Sequence, residues 1–164
     1  MLLTHTLEEV RHALFFKKLA VKVGGATFST YHPDVLLAPL ATKAYFYNID
    51  EEVTRTLEEN RLPKDLSYRI TSWLIETRAM TVYHTYDTLL KKQDFDFSLQ
   101  PILRDESQHL DHMDQAIADI PGIGKIREHL RAKEEQFFDI FLAAIQGHIH
   151  SESRIQETVS RTLN

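Results

Sequence analysis

A glutamate and a histidine three residues apart, Glu106 and His109, stand inside an otherwise apolar helical stripe. Ile102, Leu103, Leu110, Met113, Ile117 and Ile120 recur around them at intervals of three and four, the spacing of one helix face that turns towards a core. A carboxylate and an imidazole on that face are costly to desolvate unless something binds them. A second pair, Glu9 and His12, leads a similar stripe through Ala13, Phe16, Leu19, Ala20 and Val23. Two such pairs in one helical chain point to two metal ions held between facing helices.

Composition narrows the chemistry further. The 164 residues suit one domain, 1–164, and only five glycines and five prolines interrupt it, so long helices are expected. The chain has no cysteine, which excludes disulfides, thiolate metal sites, iron–sulfur clusters and a Cys nucleophile. Its nine histidines and 24 acidic residues supply nitrogen and oxygen donors, which suit iron and manganese and also accept zinc. A net charge of −5 gives no support to general nucleic-acid binding. Met1 to Thr6 lacks a basic region and a long apolar run, and no stretch approaches a membrane span, so a cytoplasmic protein without a membrane partner is expected.

Taken in order, the chain predicts a first helix from Thr6 to about Val23, opened by a Thr6–Glu9 capping box and stopped by Gly24-Gly25. Residues 26–33 read as a connection. An apolar and aromatic segment follows over 34–48, then a short acidic helix from Asp50 to about Asn60. Together these make a long crossover. The longest helical pattern runs from Asp65 to about Lys92, with Glu76 mid-helix among large apolar residues and no lysine or arginine three or four residues after it. The loop 93–98 leads to the helix of Glu106 and His109, where Pro101 fits the first turn. Pro121-Gly122 breaks it. A last helix is expected from about Lys125 to Gly147, with Glu134 inside its stripe, followed by a polar tail over 148–164.

Glu8-Glu9-Val10-Arg11-His12-Ala13 and Asp105-Glu106-Ser107-Gln108-His109 resemble the paired signatures of the ferritin-like di-iron carboxylate superfamily. In that family the order along the bundle is Glu, Glu-x-x-His, Glu, Glu-x-x-His. The resemblance covers about residues 6–118 and places Glu76 at the third-helix glutamate. It implies an all-α, ferritin-like bundle with a long crossover and an extra C-terminal helix, residues 125–164. It also implies Glu9, His12, Glu76, Glu106 and His109 as ligands to two iron ions, with manganese as the alternative metal. The first-helix glutamate of the family has no counterpart here. A late start of the sequence, a carboxylate from a partner chain, Glu134 from the last helix, or a degenerate site would each account for it. For Glu134 an exposed edge of the stripe or a salt bridge is the stronger expectation.

The function implied by the resemblance is a di-iron oxidase or oxygenase acting with dioxygen on a small organic substrate. Its electrons would come from an external donor, since the chain carries no nucleotide-binding motif. Residues 45–47, Trp73 and the phenylalanines after Glu134 are expected to line an apolar pocket, and the resemblance leaves room for a homodimer. Asp105 and Asp111 are candidates for orienting ligand imidazoles. Tyr83 shares the Glu76 face, and His5 lies one turn above Glu9. A ferroxidase, iron-storage or peroxide-scavenging protein and a helical interaction protein with a decayed site are the alternative expectations.

Overall fold

Glycine and proline decide where most of the helices stop. The computed structural model describes residues 2–162, and the surroundings of side chains over 3–150. Among the described residues there are five α-helices and no strand: α1 Leu2–Gly24, α2 Pro39–Glu59, α3 Leu66–Lys92, α4 Gln100–Ile117 and α5 Ile123–Thr162. Two short 3-10 turns, Ala26–Ser29 and Pro33–Val35, join α1 to α2. Met1, Leu163 and Asn164, the last two part of the expected tail, lie outside the described residues.

Three boundaries differ from the sequence expectation. Helix α1 starts at Leu2, so Thr6 lies in its second turn and cannot cap it; nothing in Leu2-Leu3-Thr4-His5 breaks a helix, and Glu9 is left free to point elsewhere. The helix ends as expected at Gly24, and Gly25 takes φ +87°, a conformation that side chains disfavour. Residues 39–59 form one helix instead of two segments. Tyr45, Ile49, Val53 and Leu57 make an unbroken buried stripe through Asp50, and Pro39 sits in the first turn, where its missing N–H costs nothing. Helix α5 runs past Gly147 to Thr162. Asp65 precedes α3, but its side chain makes no capping hydrogen bond.

Two apolar clusters divide the core. The larger joins α2, α3 and α5 with the C-terminal half of α4, through Tyr45, Ile49, Ile70, Trp73, Met113 and Leu130. The smaller sits between α1, α3 and the start of α4, where Leu99, Ile102 and Leu103 meet Phe15, Phe16, Met80 and Tyr83. Along α3, Glu76 falls between Trp73 and Met80; along α4, Glu106 and His109 fall between Leu103 and Met113. The polar residues thus form a layer sandwiched between two apolar ones.

Asp87, near the end of α3, fixes the register of α3 against α4. Its carboxylate accepts from the Leu99 N–H at 2.9 Å, from Gln100 Nε2 at 2.9 Å and from Lys91 Nζ at 2.6 Å. A side chain from one helix therefore satisfies free donors at the start of the next. No helix among the described residues is long and apolar enough to cross a membrane.

Candidate metal centre

Helix α1 brings His5, Glu8, Glu9 and His12 to the α3–α4 hairpin on successive turns of one face. Glu76 comes from the middle of α3, and Asp105, Glu106 and His109 come from α4. Glu106 is 2% exposed and Glu76 5%, whereas Glu9 stands at the rim with its side chain 47% exposed. All five residues expected as ligands, Glu9, His12, Glu76, Glu106 and His109, are brought to one place. Two donor groups form there, His5, Glu9, Glu76 and His109 in one and Glu9, His12 and Glu106 in the other, with ligand atoms in each group lying within 4.8 Å of one another. Glu9 belongs to both.

The separations inside the layer fit donors around an ion. His5 Nε2 lies 2.8 Å from Glu76 Oε1 and 3.3 Å from Glu9 Oε1. His12 Nδ1 lies 3.2 Å from Glu106 Oε1, and His109 Nδ1 lies 3.4 Å from Glu106 Oε2 and 3.7 Å from Glu76 Oε2. Donors bound at about 2.1 Å to one ion stand about 3 Å apart. Several of these atoms are also buried without a hydrogen-bond partner, namely His5 Nε2, His12 Nδ1 and Glu76 Oε2. An unsatisfied buried polar atom is costly, and here three of them face the same small space. The residues fit a pair of divalent ions.

The other nitrogen of each imidazole is held from outside the layer. His12 Nε2 meets Asp105 Oδ2 at 3.3 Å, His109 Nε2 meets Glu8 Oε2 at 2.8 Å, and His5 Nδ1 meets the Tyr68 hydroxyl at 3.1 Å. Such partners fix the tautomer and orientation of a ligating histidine. Asp105 fills the orienting position anticipated for it; Asp111 is exposed.

Electrostatics in the layer reflect crowding of like charge. Burial, with the nearby charges of Glu106 and Glu9, pushes the Glu76 carboxyl up to about 9. The Glu106 carboxylate, 3.2 Å from Nδ1, raises His12 to about 9, helped by Asp105 and opposed by burial. Tyr83 is pushed up to about 12 by burial and by the charges of Glu106, Glu9 and Glu76. Its ring packs on Phe16 with centroids 5.3 Å apart.

Glu134 does not reach this layer. It is buried between α2 and α3, where Arg78 grips it bidentately, Nε to Oε1 at 2.9 Å and Nη2 to Oε2 at 2.7 Å, and the Tyr45 hydroxyl donates to Oε1. The expected aromatic pocket is also redistributed: Tyr45 packs with Phe138 and Phe141 in the larger core, and Tyr47 is 62% exposed. The apolar groove beside the polar layer is a different one of about 520 Å³, lined by Phe16, Leu19, Tyr83, Leu90, Phe95 and Leu99 among others.

Sequence reading placed His5 at a frayed end and overlooked Glu8 and Tyr68. The signal for His5 was its position four residues before Glu9 on the same face; nothing local marked Glu8 or Tyr68, whose roles depend on how helices pack. No family model, curated protein or solved structure matches the chain, so the ferritin-like resemblance is carried by these residues alone.

Proposed function

We propose that this chain is a non-haem di-iron oxidoreductase, an oxidase or oxygenase that uses dioxygen on a small apolar substrate, built on a ferritin-like bundle. The observation that carries the reading is the convergence of Glu9, His12, Glu76, Glu106 and His109 from three helices, with buried donor atoms left without hydrogen bonds. Iron bound there would supply the reduction of dioxygen. Glu76, Glu106 and the imidazoles of His12 and His109 would hold the ions, with Glu9 shared between the two donor groups. Asp105 and Glu8 keep the imidazoles aimed. The groove along Phe16, Tyr83 and Leu99 offers an apolar substrate a place one helical turn from the layer. Tyr83, at that boundary, keeps its proton at neutral pH. Electrons would come from an external donor.

The same reading includes a homodimer. The outward side of α1 carries Leu3, Leu7, Val10 and Leu14, each half-exposed or more. Their four-three-four spacing is the seam of two packed helices.

A second reading keeps the metal and drops the organic substrate. Glu9 stands 47% exposed at the rim of the layer, a carboxylate positioned to admit iron from solution, as a ferroxidase or iron-storage protein requires. Oxygen consumption separates the two: an oxygenase couples it to conversion of an added apolar compound, whereas a ferroxidase couples it to added iron(II). Metal analysis tests what they share. After anaerobic reconstitution about two iron ions per chain are expected, and fewer than about one per two chains would sink both readings. Glu106→Ala and His109→Ala are each expected to lose most of the bound iron.

A further inference from the structure

Beside the five residues read from spacing, one more donor faces the layer. His5 lies on α1 one turn before Glu9, with Nε2 turned into the layer and Nδ1 held by Tyr68. Its ring stands 4.4 Å from that of His109, centroid to centroid. Nε2 is buried and without a hydrogen-bond partner although Glu76 Oε1 is only 2.8 Å away. A nitrogen this close to a carboxylate oxygen, yet outside hydrogen-bonding geometry, is placed as two ligands of one ion are placed. Glu134 is held by Arg78 and Tyr45 and does not reach this place.

We infer that His5 is a further ligand, so that this chain supplies three histidines and three glutamates to the centre. The inference rests on the di-metal reading above. It divides the ligands: His5, Glu76 and His109 hold one ion, His12 and Glu106 hold the other, and Glu9 is shared. Tyr68 acts as a positioning residue through His5. Compared with a carboxylate at the same place, an imidazole carries one negative charge less and offers a nitrogen donor, which shifts preference away from manganese and towards iron, cobalt and zinc.

The test uses cobalt(II) as probe on the full chain. Cobalt-loaded wild-type protein should show three exchangeable, paramagnetically shifted imidazole N–H proton signals, one for each outer nitrogen held by Asp105, Glu8 or Tyr68. His5→Gln should remove one signal and one of the two bound ions, changing the visible absorption of the remaining site. His5→Glu should restore two ions and move the outcome of an iron–manganese competition towards manganese. Tyr68→Phe should keep two ions with weaker binding of one. Two shifted signals in wild-type protein, or two ions with an unchanged spectrum in His5→Gln, would overturn the assignment of His5 while the di-metal reading stands. A wild-type chain that takes up no metal would overturn both. The wild-type proton count does not depend on any variant folding.

Discussion

At neutral pH, Glu76 and His12 both hold protons that they would give up more readily in water. Each has its pKa raised to about 9, Glu76 chiefly by burial and His12 chiefly by the Glu106 carboxylate beside it. A raised pKa means that the folded chain binds more protons than the unfolded one between the two values. For Glu76 that window opens near 4.3 and for His12 near 6.5, the ordinary values of the two groups. Stability from this source is present below those values and is lost as the pH rises towards 9. The melting temperature of metal-free protein should therefore fall between pH 6.5 and 9. Metal uptake runs the other way, because both groups bind an ion only after losing the proton. Calorimetry at pH 7 in two buffers of different ionisation enthalpy should report about two protons released per chain loaded; heats that do not depend on the buffer would contradict this. Around the ligands, Asp105→Asn and Glu8→Gln should each weaken metal binding about 10–100-fold without abolishing it, as read by competition with a chelator.

At the scale of elements, the placement of Glu76 against Glu106 depends on how α3 and α4 are locked together, and Asp87 is the lock. Its hydrogen bonds from Lys91, Gln100 and the Leu99 N–H hold its carboxyl well below the usual carboxylate range. A depressed pKa contributes stability above the ordinary value, near 4, and loses it as the pH falls further. Asp87→Asn should lower the melting temperature at pH 7 and flatten the loss of stability below about pH 4; unchanged thermal and acid unfolding would remove Asp87 from this role. The helices themselves were legible in the sequence. Gly24-Gly25, Pro101 and Pro121-Gly122 marked ends that the fold respects, and the period of apolar residues around Glu9, Glu76 and Glu106 gave the faces. The rest was not local. Asp50 reads as a cap in isolation, but burial of Ile49 and Val53 against other helices carries α2 straight through it. Thr6 and Glu9 read as a capping box, yet Glu9 is turned into the polar layer. Glu8 looks like a surface residue until α1 meets α4 and its carboxylate reaches His109. Spacing singled out five residues that the fold brings together; that His5 joins them depends on α1 running from Leu2.

The whole molecule divides its work between two faces of α3. One face joins α1 and α4 at the polar layer, and the other joins α2 and α5 through Tyr45, Arg78 and Glu134. Burial and the Glu134 carboxylate hold the Tyr45 phenol far above its usual range. Removing one partner of a buried charged pair costs about 3–5 kcal/mol and removing a hydroxyl partner about 1–2 kcal/mol. Glu134→Ala should be destabilising on the first scale and Tyr45→Phe on the second, by denaturant unfolding. Neither should change the number of metal ions bound, since Glu134 lies outside the layer; a lost ion in Tyr45→Phe would show the two faces to be coupled. The outer side of α1 carries an exposed aliphatic line, Leu3, Leu7, Val10 and Leu14, half a helical turn round from His5, Glu9 and His12. A monomer rarely leaves such a line in water. The line matches itself when two copies run antiparallel, Leu3 against Leu14 and Leu7 against Val10, so a second copy is its simplest occupant. Sedimentation of wild-type protein at micromolar concentration should give a dimer, and Leu7→Arg with Leu14→Arg should give a monomer that still binds its metal, because those side chains point away from the layer. A wild-type monomer would leave the α1 line without a homodimer role. A variant that loses metal together with its partner would show instead that each centre depends on the second copy to hold α1 in place.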